Sequence, residues 1–142
     1  MIKKSMRQKA RSLALQAIYQ WHFNPISFTV LEEQLLPEVN PKKIDKEFFS
    51  DLVGGTLRYR KEIDEGMEPF LDRKISELNP IELAVMRLAI YELMYRLDVP
   101  YKVVINEALE LAKKFGSTDG HKYVNGVLDK VAAKVRAVEV KG

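Results

Sequence analysis

The sequence contains no cysteine, which excludes disulfides and thiolate metal sites. It has no apolar run of about 18 residues, and the N-terminus lacks the continuous apolar segment of a signal peptide. Its only two histidines, His22 and His121, stand in no metal-ligand pattern. We therefore expect a cytoplasmic chain with no metal, no cofactor and no membrane contact.

Catalytic motifs are missing too. The chain has no P-loop, no dinucleotide-binding GxGxxG, no HExxH and no nucleophile elbow. Carboxylates are plentiful but fall on polar helix faces, as with Glu107 and Glu110. We predict that this protein is not an enzyme.

Acidic residues are absent from the first 31 positions, which makes the charge uneven. That segment holds five cations, and the rest of the chain holds 18 basic and 20 acidic residues. The cations, together called the basic arm, are Lys3, Lys4, Arg7, Lys9 and Arg11. A basic arm on a nearly neutral body is typical of a nucleic-acid contact, although a merely solvated N-terminus would look the same.

Helical periodicity runs through nearly the whole chain of 142 residues, whereas strand signals are scarce. We predict an all-α domain, residues 1–142, with an N-terminal half of about 1–76 and a C-terminal half of about 77–138. The seven predicted helices cover about 6–22, 27–36, 41–64, 65–75, 81–97, 101–115 and 119–136. Asn79 is expected to cap the fifth helix with Glu82 completing a capping-box variant, and Gly116 to end the sixth in a left-handed conformation.

Two segments carry residues suited to RNA. Along the first helix Lys4, Arg7 and Arg11 share one side, which continues through Leu15, Tyr19 and His22. Cations attract phosphates and aromatic rings stack on unpaired bases, but Leu15 and Tyr19 could equally pack inside the protein.

The second segment is the entry to the seventh helix, where two glycines adjoin aromatic and charged residues. A helix start favours anions, and Gly120 would let a phosphate approach closely. The alternative is that Asp119 or Thr118 caps the helix and Tyr123 packs at the rim of the core. The candidate RNA contacts here are Phe115, Asp119, His121, Lys122 and Tyr123.

Four blocks of sequence closely resemble the NusB family of bacterial transcription antitermination factors. They are ALQAIYQW at 14–21, IELAVMRLAIYEL at 81–93, DVPYKVVINEA at 98–108 and HKYVNGVLDK at 121–130. The resemblance implies two small helical bundles that bind ribosomal protein NusE and the single-stranded boxA element of ribosomal RNA transcripts. It also implies action with RNA polymerase and other Nus factors, and NusE contacts at Tyr19 and Glu82.

Two departures from the family pattern affect the expected RNA contacts. Relatives often begin with a run of arginines, whereas this arm is diluted and partly lysine, which lacks the guanidinium fork. Relatives also often read Asp-Ser-His-Lys-Phe where this chain has Asp119-Gly120-His121-Lys122-Tyr123. We expect the arm and this segment to form one composite RNA surface.

Two other interpretations stay open at the level of sequence. One is an accessory RNA-binding domain related to ribosomal RNA methyltransferases of the Sun/Fmu type. The other is a helical scaffold with no role in RNA binding.

Overall fold

The computed structural model describes residues 2–35, 37 and 39–142, with side chains described from Lys4 onward. The side chain of Lys3, one of the predicted RNA contacts, therefore lies outside the described residues. Within these residues the secondary structure is helical and contains no strand, which confirms the all-α prediction.

The helices fall into two compact units, residues 1–58 and 59–142. The first unit contains α1 (Ile2–Phe23), α2 (Phe28–Leu35) and α3 (Lys46–Arg58). The second contains α4 (Arg60–Met67), α5 (Pro80–Tyr95), α6 (Tyr101–Phe115), α7 (Gly120–Val135) and α8 (Ala137–Lys141), with 3₁₀ turns at Glu68–Phe70 and Ile75–Glu77.

The units divide between Arg58 and Tyr59, earlier than the division near residue 76 expected from the sequence. The reason is that α4 packs on α5. Arg87 on α5 donates two hydrogen bonds of 2.9 Å to the carboxylate of Asp64 on α4. Bidentate pairing of this kind fixes both position and orientation, so α4 belongs with the second unit.

The third helix is also shorter than the sequence suggests. Residues 41–44 form turns, and α3 begins only at Lys46, where the Asp45 carboxylate accepts a hydrogen bond of 3.1 Å from the Phe48 N–H. At its other end Tyr59 leaves helical geometry with φ −101° and ψ 18°. The single helix predicted over 41–64 is therefore wrong and is replaced by α3 and part of α4.

Small residues on α1 let α3 pack closely in the first unit. Ala10, Ala14 and Ala17 are fully buried on α1, as are Phe48 and Leu52 on α3 to within 1%. Alternating small and large side chains across two helices fill the space between them without cavities. Gly54 on α3 meets the ring of Phe28, whose Cζ would lie 2.9 Å from an added β-carbon, as a close helix crossing requires.

In the second unit α5 is the central helix, as its apolar periodicity predicts. Every residue from Glu82 to Leu93 is buried. The Asn79 side chain caps the helix by accepting from the N–H groups of Ile81 and Glu82 at 2.9 and 3.2 Å. At the other end Arg136 donates to the carbonyls of Glu92, Leu93 and Arg96, which satisfies groups that a helix terminus leaves without partners.

Candidate nucleic-acid interface

The basic arm lies on α1, and its cations differ in how far they reach solvent. Lys4 and Lys9 are exposed. Arg7 is half-buried, 3.5 Å from the carboxylate of Asp45 and 4.4 Å from the centre of the Phe48 ring. Arg11 is only 5% exposed and lies 4.9 Å from the same ring. The two lysines are thus available to phosphates as they stand, whereas the two arginines contribute to packing in the first unit.

Aromatic side chains gather at the far end of α1. Tyr19 is half-buried and contacts the ring of Phe23 edge-on, with centroids 5.0 Å apart. His22 meets the same ring at the same distance. Phe23 is 62% exposed, which is high for a phenylalanine. Phe23 was not among the predicted site residues, because the predicted first helix ends at about residue 22. Its position as a large aromatic residue directly before Asn24-Pro25 was the signal that could have identified it.

The α6–α7 junction, residues 115–123, brings the second set of predicted RNA contacts together. Asp119 and Lys122 are strongly exposed and lie 3.3 Å apart across one helical turn. Phe115 is half-buried under the ammonium of Lys114, which lies 5.2 Å from the ring centre. His121 has a buried Nδ1 that finds no hydrogen-bond partner among the described atoms. The Asp119 side chain makes no capping hydrogen bond, so the predicted cap role is wrong for this residue.

Tyr123 on α7 is tied to a loop of the same unit. Its hydroxyl donates to the Asp72 carboxylate at 3.1 Å and accepts from the Asp72 N–H at 3.4 Å. Arg73 pairs with Asp72 at 2.8 Å, and its guanidinium lies 5.0 Å from the centre of the Tyr123 ring. Because Arg73 and then Tyr123 donate to it, the pKa of the Asp72 carboxyl is held below its usual value. Asp72 and Arg73 are near-neighbours of the candidate site that sequence reasoning missed, since 51 residues separate Asp72 from Tyr123.

Burial raises the pKa of the Tyr123 phenol above its usual value. A phenol is protonated at neutral pH even at its usual pKa, and the hydroxyl here acts as a donor to Asp72. One face of the ring is covered by Arg73, and the ring is only partly exposed. A base that stacks on Tyr123 would meet an aromatic ring already held in place.

Glu82 does not complete a capping box, contrary to the sequence prediction. Its Oε2 instead accepts hydrogen bonds from the N–H and the hydroxyl of Ser117, at 2.9 and 2.8 Å. The residue is 7% exposed. A β-carbon added to Gly120 would overlap this carboxylate, so the open side of that glycine is filled by Glu82 and is not free for a phosphate.

Gly116 also differs from its predicted role. It ends α6 with φ −89° and ψ −172°, which is not the left-handed conformation. An added β-carbon would lie 2.6 Å from the carbonyl oxygen of Ala112 and 3.0 Å from Oε2 of Glu82. Close approach, and not backbone handedness, is what requires glycine here.

Nothing in the described part of the chain resembles a metal centre, since no three potential ligands come together there. None of its helices is long and apolar enough to cross a membrane. What the two segments offer is cations, partly or fully exposed aromatic side chains at one end of α1, and a turn fixed by hydrogen bonds. This is the chemistry of a nucleic-acid or protein-binding module.

Comparison with known protein families identifies the family to which this binding module belongs. The model of the NusB family matches residues 8–133, and the chain belongs to the NusB family. It is 54% identical over 135 residues to the transcription antitermination protein NusB of Idiomarina loihiensis, covering 95% of this chain and 97% of that one. It is 50% identical over 139 residues to the NusB of Pseudomonas fluorescens strain Pf0-1, covering 98% and 84%.

Solved structures share the fold. Thermotoga maritima NusB is 29% identical, with a TM-score of 0.83 over 96% of this chain and 97% of that one. A crystal structure of the antitermination factors NusB and NusE in complex with double-stranded RNA contains a chain 26% identical, with a TM-score of 0.76 over 87% and 93%.

Proposed function

We propose that this protein is a transcription antitermination factor that pairs with ribosomal protein NusE and binds boxA RNA in the cytoplasm. It acts with RNA polymerase and other Nus factors and catalyses no reaction. The observation that carries the proposal is the family match over residues 8–133, together with the fold shared with a chain in a crystal structure of NusB and NusE in complex with double-stranded RNA.

We propose that RNA is held by the basic arm and by the α6–α7 junction. The arm supplies cations for phosphates, with Lys4 and Lys9 ahead of Arg7 and Arg11, because Arg7 must first leave Asp45 and Arg11 is buried. Lys3, whose side chain lies outside the described residues, is the remaining cation of the arm. The junction supplies Phe115, His121, Lys122 and Tyr123, with Asp119 beside them as an opposing charge. Half-exposed aromatic rings suit unpaired bases, which favours a single strand over a duplex.

Titrating fluorescent boxA RNA with the protein at two salt concentrations, with and without NusE, tests the proposal. We expect binding that weakens with salt and strengthens when NusE is present. A scrambled single strand and a boxA duplex of equal length serve as matched controls. Equal affinity for all three RNAs would reduce the function to charge attraction, and no effect of NusE would remove the partner from the proposal.

For NusE we propose contacts at Tyr19 and Glu82. Tyr19 lies at the exposed aromatic end of α1, where Phe23 adds apolar surface. We expect Tyr19→Asp to weaken the NusE complex strongly, because it places a charge in an apolar contact, and Tyr19→Phe to bind nearly as wild type. Calorimetric titration of each variant with NusE measures this. Normal NusE affinity in Tyr19→Asp would place the contact elsewhere.

A further inference from the structure

Glu82 makes hydrogen bonds within the protein that a residue serving only to contact a partner would not need. It stands at the start of α5, and its carboxylate reaches 35 positions along the chain to Ser117 in the α6–α7 junction. Both donors of Ser117, the backbone N–H and the hydroxyl, point to the same oxygen, Oε2. Hydrogen bonds to a charged acceptor are about twice as strong as those between neutral groups.

Glycines on both sides of Ser117 leave space for the Glu82 carboxylate. Gly120, itself buried, faces it where any side chain would collide with it, and a β-carbon added to Gly116 would lie only 3.0 Å from its Oε2. Ser117 thus lies between two glycines that together make room for one acidic group. A single side chain from α5 is hydrogen-bonded to Ser117, which lies in the turn between the end of α6 and the start of α7.

We propose that Glu82 is a positioning residue for RNA binding, which fixes the α6–α7 junction in the conformation that presents His121, Lys122 and Tyr123. The inference rests on the proposed role of the junction in binding RNA. In this role Glu82 acts on RNA binding through Ser117, to which its Oε2 is hydrogen-bonded, and not through a contact of its own with the RNA. Its effect on RNA is therefore present without NusE, independently of any contact that the same residue makes with the partner.

Removal of the Glu82 carboxylate should disturb the α6–α7 junction. In Glu82→Ala the N–H of Ser117 loses its partner, and the space between Gly116 and Gly120 becomes empty. An unsatisfied donor beside a cavity is unfavourable, so the junction will rearrange. The first turn of α7 carries the proposed RNA contacts, so a small displacement there separates them from the RNA.

The experiment measures boxA RNA affinity in the absence of NusE for wild type, Glu82→Ala, Glu82→Gln and Ser117→Ala. We expect Glu82→Ala to bind roughly tenfold more weakly, since a lost buried hydrogen-bond acceptor typically has an effect of this order. Glu82→Gln keeps an acceptor oxygen for Ser117 and is expected to bind within about twofold of wild type. Ser117→Ala keeps the backbone hydrogen bond and should fall in between.

Glu92→Gln is the matched control, because Glu92 is a buried carboxylate on the same helix, about three turns from the junction. Its RNA affinity is expected to equal that of wild type. Amide hydrogen exchange gives the second readout: in Glu82→Ala the Ser117 amide should exchange faster, while amides in the middle of α5 stay protected.

The outcomes separate this inference from the proposed function. If Tyr123→Ala and Lys122→Gln both bind RNA as wild type does, the junction is not an RNA site and the proposed function loses this surface. If those variants bind weakly while Glu82→Ala binds normally, only the positioning role is overturned. Should Glu82→Ala fail to fold, wild-type RNA affinity in Ser117→Ala despite faster exchange of the amide at position 117 overturns it instead.

Discussion

The basic arm and the α6–α7 junction use charge in opposite ways. In the arm, the two arginines are drawn into packing against Phe48, and the lysines remain in solvent. In the junction, Asp119 and Lys122 are both exposed at the surface, and a different acid, Glu82, is buried to hold the backbone. Counting charges along a sequence therefore identifies a segment but does not say which of its charges are available to a ligand.

The largest expected effect comes from filling the space that Glu82 occupies. We predict that Gly120→Ala destabilises the protein by about 1–3 kcal/mol, because its methyl group would overlap a buried carboxylate. Thermal unfolding measures the loss. Gly126→Ala is the matched control, since no atom lies within 4 Å of a β-carbon added there, and it should be neutral or stabilising within a helix.

The collision with Glu82 can be tested directly. The double variant Gly120→Ala with Glu82→Ala should lose less stability than the two single variants added together. The reason is that Glu82→Ala removes the atoms with which the new methyl group collides. Strictly additive losses would mean that Gly120 is required for another reason.

Variants of Tyr123 distinguish two roles of this residue, which are stacking on an RNA base and hydrogen bonding to Asp72. We predict that Tyr123→Ala weakens boxA binding by about 1–3 kcal/mol, the usual contribution of an aromatic that stacks on a base. Tyr123→Phe retains the ring and loses only the hydrogen bonds to Asp72. It should therefore bind RNA nearly as wild type does. A loss of equal size in both variants would show that the tie to Asp72 is what matters, and not the ring.

Much of the fold follows from local signals, and the site follows only in part. Apolar residues at three- and four-residue steps place α1, α5, α6 and α7 within a few residues of their observed ends, because periodicity is a property of one segment. The break at Tyr59 has no proline or glycine to announce it. The tie from Tyr123 to Asp72 spans 51 residues, and that from Glu82 to Ser117 spans 35. Such contacts depend on how helices pack, which local periodicity does not encode.

The salt dependence of RNA binding tests whether burial decides which cations of the arm act on RNA. Replacing Lys4 and Lys9 by glutamine should leave the melting temperature unchanged and flatten the slope of log K against log salt by about 1.4, the value for two phosphate contacts on a single strand. Replacing Arg7 and Arg11 instead should lower the melting temperature, because both arginines pack on Phe48. A larger slope change for the arginine pair than for the lysine pair would contradict this prediction and would mean that the arginines contact RNA phosphates.

Asp119 should produce the smallest effect, and one of opposite sign. Its carboxylate makes no capping hydrogen bond, and its ion pair with Lys122 is largely exposed, so it contributes little to stability. Asp119→Asn removes a negative charge beside the RNA and frees Lys122 from its partner. We predict an unchanged melting temperature and tighter boxA binding, with a gain that shrinks as salt is raised. Asp129→Asn is the control, because this exposed acid lies on the same helix about 15 Å further along, beyond the screening distance. Equal tightening in both variants would mean that the RNA responds to net charge alone, whereas tightening confined to Asp119→Asn would place phosphates beside the first turn of α7.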